Sequence, residues 1–187
     1  MGVHQVRTLQ RAPFHSQSPP KTSVHRTAPL TDFEPVRSIL SQLRILGGVT
    51  DAQLDAILGR LEVWTLPAGS VVFQKGDDPM HIYIVKSGKI DLQLMENEVL
   101  IHKHDIQVGE CMGEASLLSM HKHTATAVAA TDSELLVLSK RALIDLKHEN
   151  LELFALLMMN LARELARRLY ITDQLLLAAT AKNATAP

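Results

Sequence analysis

The sequence predicts an α+β fold that is mainly β: an antiparallel β-roll or jelly roll, with helices before it and a long helix after it. Three observations carry this. Between residues 62 and 139, short β-type runs recur at regular intervals, separated by turn residues. On either side of that stretch the apolar residues switch to helical spacing. The composition, 46% hydrophobic but only 4% aromatic, builds a core from Leu, Ile, Val and Ala rather than from rings. At 187 residues the chain fits one ordinary domain with extensions.

Residues 1–31 contain no Asp or Glu, hold Arg7, Arg11, Lys21 and Arg26, and carry Pro13, Pro19, Pro20 and Pro29. Such a segment buries too little apolar surface to offset ordering entropy, so residues 1–34 are expected to be a disordered basic tail. An acid-free stretch with Arg and Ser also describes an organellar transit peptide, although the prolines interrupt helical periodicity. A tether for an acidic partner and a plain tail are the other readings. The domain proper is expected over 35–180, with helices in 35–61, the roll in 62–139 and C-terminal helices in 140–180.

Within 35–46, Val36, Ile39, Leu40, Leu43 and Leu46 have helical spacing, and Gly47-Gly48 ends that helix. Thr50 with Gln53 three residues on forms a capping box for a second helix, whose stripe is Leu54, Ile57, Leu58 and Leu61. Strands are expected near 62–66, 70–74, 81–86, 89–95, 98–104, 124–130 and 134–139. The turns between them are Pro67-Ala68-Gly69, residues 75–79, Ser87-Gly88 and Glu96-Asn97. A short helix follows over 140–148. Asn150 then opens a long helix to about residue 177, with a stripe of Leu153, Leu157, Leu161, Leu165 and Leu169 and a charged face of Arg163, Glu164, Arg167 and Arg168. That stripe is longer than one roll can cover, which suits a second copy better than a monomer.

The chemistry concentrates in residues 109–130. Two glycines four apart are each followed by a glutamate, Gly109-Glu110 and Gly113-Glu114. An apolar turn follows, 115–118, then a polar basic corner, 119–123, and a small-residue strand. A helical turn opening after Gly113 aims backbone N–H groups at one spot, which favours an anion. Glu114 at its mouth can accept from a sugar hydroxyl; the bland alternative is a carboxylate capping those amides.

This segment resembles the phosphate-binding cassette of the cyclic nucleotide-binding domain family, the catabolite activator-like β-roll proteins. The matching residues are Met112-Gly113-Glu114-Ala115-Ser116-Leu117, then Lys122-His123-Thr124-Ala125-Thr126. Residues 66–92, with Gly69, Gly76, Gly88 and Tyr83-Ile84-Val85, are similar to the family's roll, so the resemblance spans roughly 45–170. It implies a pocket of Gly113, Glu114, Ala115, Ser116, His123, Thr124 and Ala125, with cAMP or cGMP as the ligand rather than a cofactor. It assigns the ribose 2′-hydroxyl to Glu114. It also implies that the long helix lids the pocket and forms a parallel dimer seam.

The family's arginine, which pairs with the cyclic phosphate, falls on His123. Imidazole has neither the permanent charge nor the planar fork of guanidinium. The loss is worth about 2–4 kcal/mol, roughly 30- to 1000-fold in affinity. The pocket can bind a cyclic nucleotide weakly through Lys122 or the cassette amides, bind another ligand such as a dinucleotide, or be empty and serve as a docking scaffold. Protonating His123 is expected to tighten phosphate binding. Thr124 offers a hydroxyl to phosphate or purine, or is an ordinary strand residue.

Other classes find less support. The net charge of −1 does not point to nucleic acid or to anionic membrane. No apolar run reaches the ~18 residues of a membrane span. The lone Cys111 fits a reducing, cytoplasmic setting. His-Lys-His at 102–104 and 121–123 suggests a metal, and His102 and His104 would share a strand face, but no second His-bearing motif completes a site. No nucleophile–base arrangement appears, so an enzyme is not expected. The residues after 177 are too few for a helix-turn-helix reader, so the expected output passes to a separate effector protein.

Overall fold

The computed structural model describes the backbone of residues 25–29, 36, 37, 40, 43–96 and 99–184. In chain order these form β1 (His25–Pro29), a 3-10 turn (Arg44–Leu46), α1 (Asp51–Leu58), β2 (Leu61–Leu66), β3 (Val71–Phe73), β4 (His81–Ser87), β5 (Ile90–Glu96), β6 (Val99–Ile106) and β7 (Cys111–Met112). Then come α2 (Glu114–Ser119), β8 (Thr126–Ala129), β9 (Ser133–Ser139), α3 (Lys140–Glu149) and α4 (Leu151–Ala184). A five-stranded sheet has the order β1-β2-β9-β4-β7 and a four-stranded sheet the order β3-β8-β5-β6. All pairings are antiparallel. This is the expected β-roll with flanking helices.

The five-stranded sheet separates two cores, and side-chain alternation assigns residues to each. Leu61, Val63, Ile82, Ile84, Leu136 and Leu138 face a helical core completed by Leu40, Leu43, Leu143, Leu146, Leu153, Leu157 and Leu161. Trp64, Leu66, Tyr83, Val85, Leu135 and Val137 face the interior of the roll with Phe73, Ile90 and Ile106. A strand buried on both faces reads as a continuous apolar run rather than an alternation, which is why Leu135–Leu138 of β9 are all apolar.

Local signals explain the element ends. The Thr50 side chain accepts from Gln53 N, and the Gln53 side chain accepts from Thr50 N, as the capping box requires. Ser139 caps α3 by accepting from Ala142 N at 3.1 Å, and Asn150 caps α4 by accepting from Leu153 N at 3.0 Å. Gly88 has φ of 81°, and a Cβ there would come within 2.4 Å of the Asp132 carbonyl, so the β4–β5 turn excludes any side chain.

Three expectations need correcting. First, the disordered tail over 1–34 ends too late: His25–Pro29 form an edge strand paired with β2, His25 opposite Thr65 and Pro29 opposite Glu62. A strand with little apolar character can join an edge because its partner supplies the hydrogen bonds, and proline is tolerated there. The rest of that tail lies outside the described residues. Second, β7 was not expected; at two residues it is too short to show a period. Third, α4 runs to Ala184 rather than to about 177. The helix expected over 35–46 lies largely outside the described residues, although Val36, Leu40, Leu43 and Leu46 are buried.

Candidate ligand-binding site

β7 delivers the chain into a left-handed turn at Gly113, φ 86°, from which α2 starts. A Cβ at Gly113 would stand 2.7 Å from the His81 carbonyl and 3.2 Å from the Tyr83 ring. Glycine is therefore required here both for its φ and for close approach to β4. The α2 turn ends at Met120, also left-handed at φ 56°, with the Met120 N–H donating to the Ser116 carbonyl. The His121 N–H donates to the same oxygen at 3.2 Å.

This turn places Glu114 under α4, where it is 1% exposed. Its Oε1 accepts from Arg168 Nη1 at 2.7 Å. Its Oε2 is buried and has no hydrogen-bond partner among the described residues. Burial pushes the Glu114 carboxyl above the usual carboxylate range, opposed first by Arg168 and then by a hydrogen bond from its own backbone N–H. Arg168 also donates from Nη2 to the Cys111 carbonyl at 2.7 Å and from Nε to Glu164 Oε1 at 3.1 Å. Glu164 in turn accepts from Arg167 Nε at 2.9 Å. Hydrogen bonds from Arg167 hold the Glu164 carboxyl below its ordinary value despite burial. Burial works against the charge on Arg168, but the carboxylates of Glu114 and Glu164 keep its pKa raised. The Cys111 thiol, pushed up to about 12 mainly by burial, stays protonated and unreactive.

The other end of the cassette is pinned differently. His123 is 4% exposed, and its ring stacks on Phe73 with centroids 3.8 Å apart and planes 14° apart. Its backbone N–H donates to the Asp77 carbonyl at 3.0 Å, and its backbone carbonyl accepts from Gly76 N–H at 2.8 Å, so the β3–β4 turn clamps it. Burial lowers its pKa from 6.5, opposed by Asp77. Phe73 continues into an aromatic group with Tyr83 and Trp64 inside the roll.

Of the seven residues expected in the site, Glu114, His123 and Ala125 are buried, Gly113 and Ser116 are half-buried, and Ala115 and Thr124 are exposed. Lys122 is exposed and lies 3.8 Å from Asp78, a solvated pair of little energetic weight. Sequence reasoning placed Glu164 and Arg168 on the solvated face of the long helix. They are instead turned toward the roll, with 7% and 28% of their side chains exposed. Among the described residues no group of three or more His, Cys, Asp or Glu side chains is placed to hold a metal ion. His104 lies 3.9 Å from Glu110, and the side chain of His102 is outside the described set. No helix among the described residues is long and apolar enough to cross a membrane.

Residues 63–150 match the family profile of the cyclic nucleotide-binding domain. That stretch, with the roll, the Gly113 turn and the buried Glu114, is a domain of this family. The chain is 32% identical over 129 residues to the cyclic AMP receptor protein of Thermus thermophilus, covering 67% of this chain and 57% of the receptor. It is 30% identical over 104 residues to a cGMP-dependent protein kinase of Eimeria tenella, covering 56% of this chain and 10% of the kinase. The crystal structure of the Thermus thermophilus catabolite activator protein superposes with a TM-score of 0.65 at 30% identity, covering 73% of this chain and 63% of that one. The chain thus spans less than two thirds of each of these relatives.

Proposed function

We propose that this chain is a non-catalytic, cytoplasmic sensor of a cyclic mononucleotide, cAMP or cGMP, that signals to a separate effector protein through α4. The observation that carries this reading is the Glu114 carboxylate: 1% exposed, with Oε2 left without a partner. A buried acceptor without a donor is costly and rare. A ribose hydroxyl supplies the missing donor. Gly113 sets the turn, Ala115 and Ser116 line its start, and His123, Thr124 and Ala125 form the opposite wall. Because Glu114 is bonded to Arg168, a ligand that occupies Glu114 acts on α4 directly, and α4 is also the surface offered to a second copy or an effector. The two curated relatives described above are a cyclic AMP receptor and a cGMP-dependent kinase; only 10% of the kinase is covered, so its catalysis is not carried over.

A second reading has one observation in its favour. His123 is occupied by stacking on Phe73, which suits a ligand-independent docking module. Calorimetric titration with cAMP and cGMP separates the two. The sensor reading expects binding to the native chain that weakens at least tenfold in Glu114→Gln, whose amide replaces one acceptor oxygen with an NH2 donor. No binding of either nucleotide to a folded sample removes the sensor reading for cAMP and cGMP and favours the docking module.

A further inference from the structure

We infer that Arg168, on α4, is the phosphate-binding cation of this pocket, in place of the arginine that position 123 lacks, and that Glu164 restrains it. The inference rests on the reading of Glu114 as the ribose carboxylate. The cassette's own candidates are poorly placed for an anion. His123 is 4% exposed and covered on one face by Phe73. Lys122 is 68% exposed and lies 3.8 Å from Asp78.

Arg168 is the guanidinium that already touches the carboxylate. Its Nη1 lies 2.7 Å from Glu114 Oε1, the oxygen beside the unpartnered Oε2. In a 3′,5′-cyclic nucleotide the 2′-hydroxyl sits on the carbon next to the phosphate-bearing 3′-oxygen. A ligand that donates its 2′-hydroxyl to Oε2 therefore holds its phosphate-bearing 3′-oxygen close to the Glu114–Arg168 pair. Of the five N–H groups of an arginine, the Arg168 bonds to oxygen engage Glu114, Glu164 and the Cys111 carbonyl, which leaves capacity for a phosphate oxygen. The planar fork of arginine suits that acceptor. Glu164 competes for the same cation: it is 7% exposed and bonds Arg168 and Arg167 together. Removing its charge would make Arg168 a stronger anion site. Phosphate recognition would then reside on the helix that carries the signal rather than on the cassette.

The test compares cAMP with adenosine, which shares the base and the 2′-hydroxyl but has no phosphate. Calorimetry on the full chain reads the ratio of the two affinities. The native protein should prefer cAMP by roughly 10- to 100-fold. In Arg168→Gln the ratio should collapse toward one. In Glu164→Gln the ratio should rise severalfold. A ratio unchanged in Arg168→Gln overturns the inference. If circular dichroism shows that variant unfolded, Glu164→Gln decides, and a ratio unchanged or lowered there overturns it. Native protein that binds adenosine as tightly as cAMP defeats the inference while leaving Glu114 as a ribose site. Native protein that binds neither of these, nor cGMP nor guanosine, defeats both.

Discussion

At the scale of single residues, His123 is where the chain departs furthest from the pattern it resembles, and its surroundings turn that departure into a pH dependence. Burial beside Phe73 lowers its pKa from 6.5, and the nearby Asp77 only partly opposes this. The unfolded chain therefore takes up a proton near pH 6.5 that the folded chain accepts only at lower pH. Above that value the neutral ring contributes its full stabilisation. As the pH falls from 6.5 through the folded pKa, unfolding becomes linked to proton uptake and stability is lost. Urea titrations at pH 7.5 and 5 should show the native protein losing more stability than His123→Phe, which keeps the stack but cannot titrate. Parallel losses in the two proteins would mean that this ring does not sense pH. The same burial moves any tightening of phosphate binding by protonated His123 to pH values below 6.5, so little of it would be seen near neutrality.

At the scale of elements, what was legible in the sequence was what local rules specify. The Thr50–Gln53 box, the Asn150 start and the turn glycines act within a few residues, and their geometry is as read. The roll strands were legible because β-branched and aromatic runs bounded by turns have few other uses. Besides the two-residue β7 and the far end of α4, two longer-range features were not. The pairing of β1 comes from the edge of β2, far away in sequence, and nothing in His25–Pro29 itself announces it. The inward turn of Glu164 and Arg168 was missed because the stripe was extended in strict steps of four, to Leu165 and Leu169. A helix advances 3.6 residues per turn, so the face of Leu153, Leu157 and Leu161 continues through Glu164 and Arg168; Leu169 is 63% exposed. The same face carries Asn160, 5% exposed, whose Nδ2 donates to the Gly47 carbonyl at 2.8 Å and the Ile45 carbonyl at 3.2 Å. It fastens α4 to the segment before α1. Asn160→Ala should cost about 1–3 kcal/mol in chemical denaturation, since two carbonyls lose their donor. A change within 0.5 kcal/mol, the ordinary range for surface positions, would show that the apolar stripe alone docks the helix.

At the scale of the whole molecule, the docked part of α4 ends where the ion-pair cluster ends. The helix has 34 residues, a length of about 50 Å at 1.5 Å per residue. Beyond Arg168 every residue whose side chain is described, through Ala181, is exposed, among them Leu169, Tyr170, Ile171, Leu176 and Leu177. An apolar helix of that length is poorly stable without a partner in water. Leu169 and Leu176 are seven residues apart, as are Tyr170 and Leu177, the repeat of a helix–helix seam. We therefore expect the proposed homodimer to form through this segment, starting one residue beyond the arginine that touches Glu114. A ligand that shifts Arg168 would then change the angle at which the two helices meet. Sedimentation equilibrium should give a dimer for the native chain and a monomer for the double variant Leu169→Glu, Leu176→Glu, with the β-sheet circular dichroism signal unchanged because neither side chain packs on the roll. A native chain that sediments as a monomer at tens of micromolar would remove the seam and leave this surface to the effector. A double variant that remains dimeric would place the contact elsewhere on the molecule.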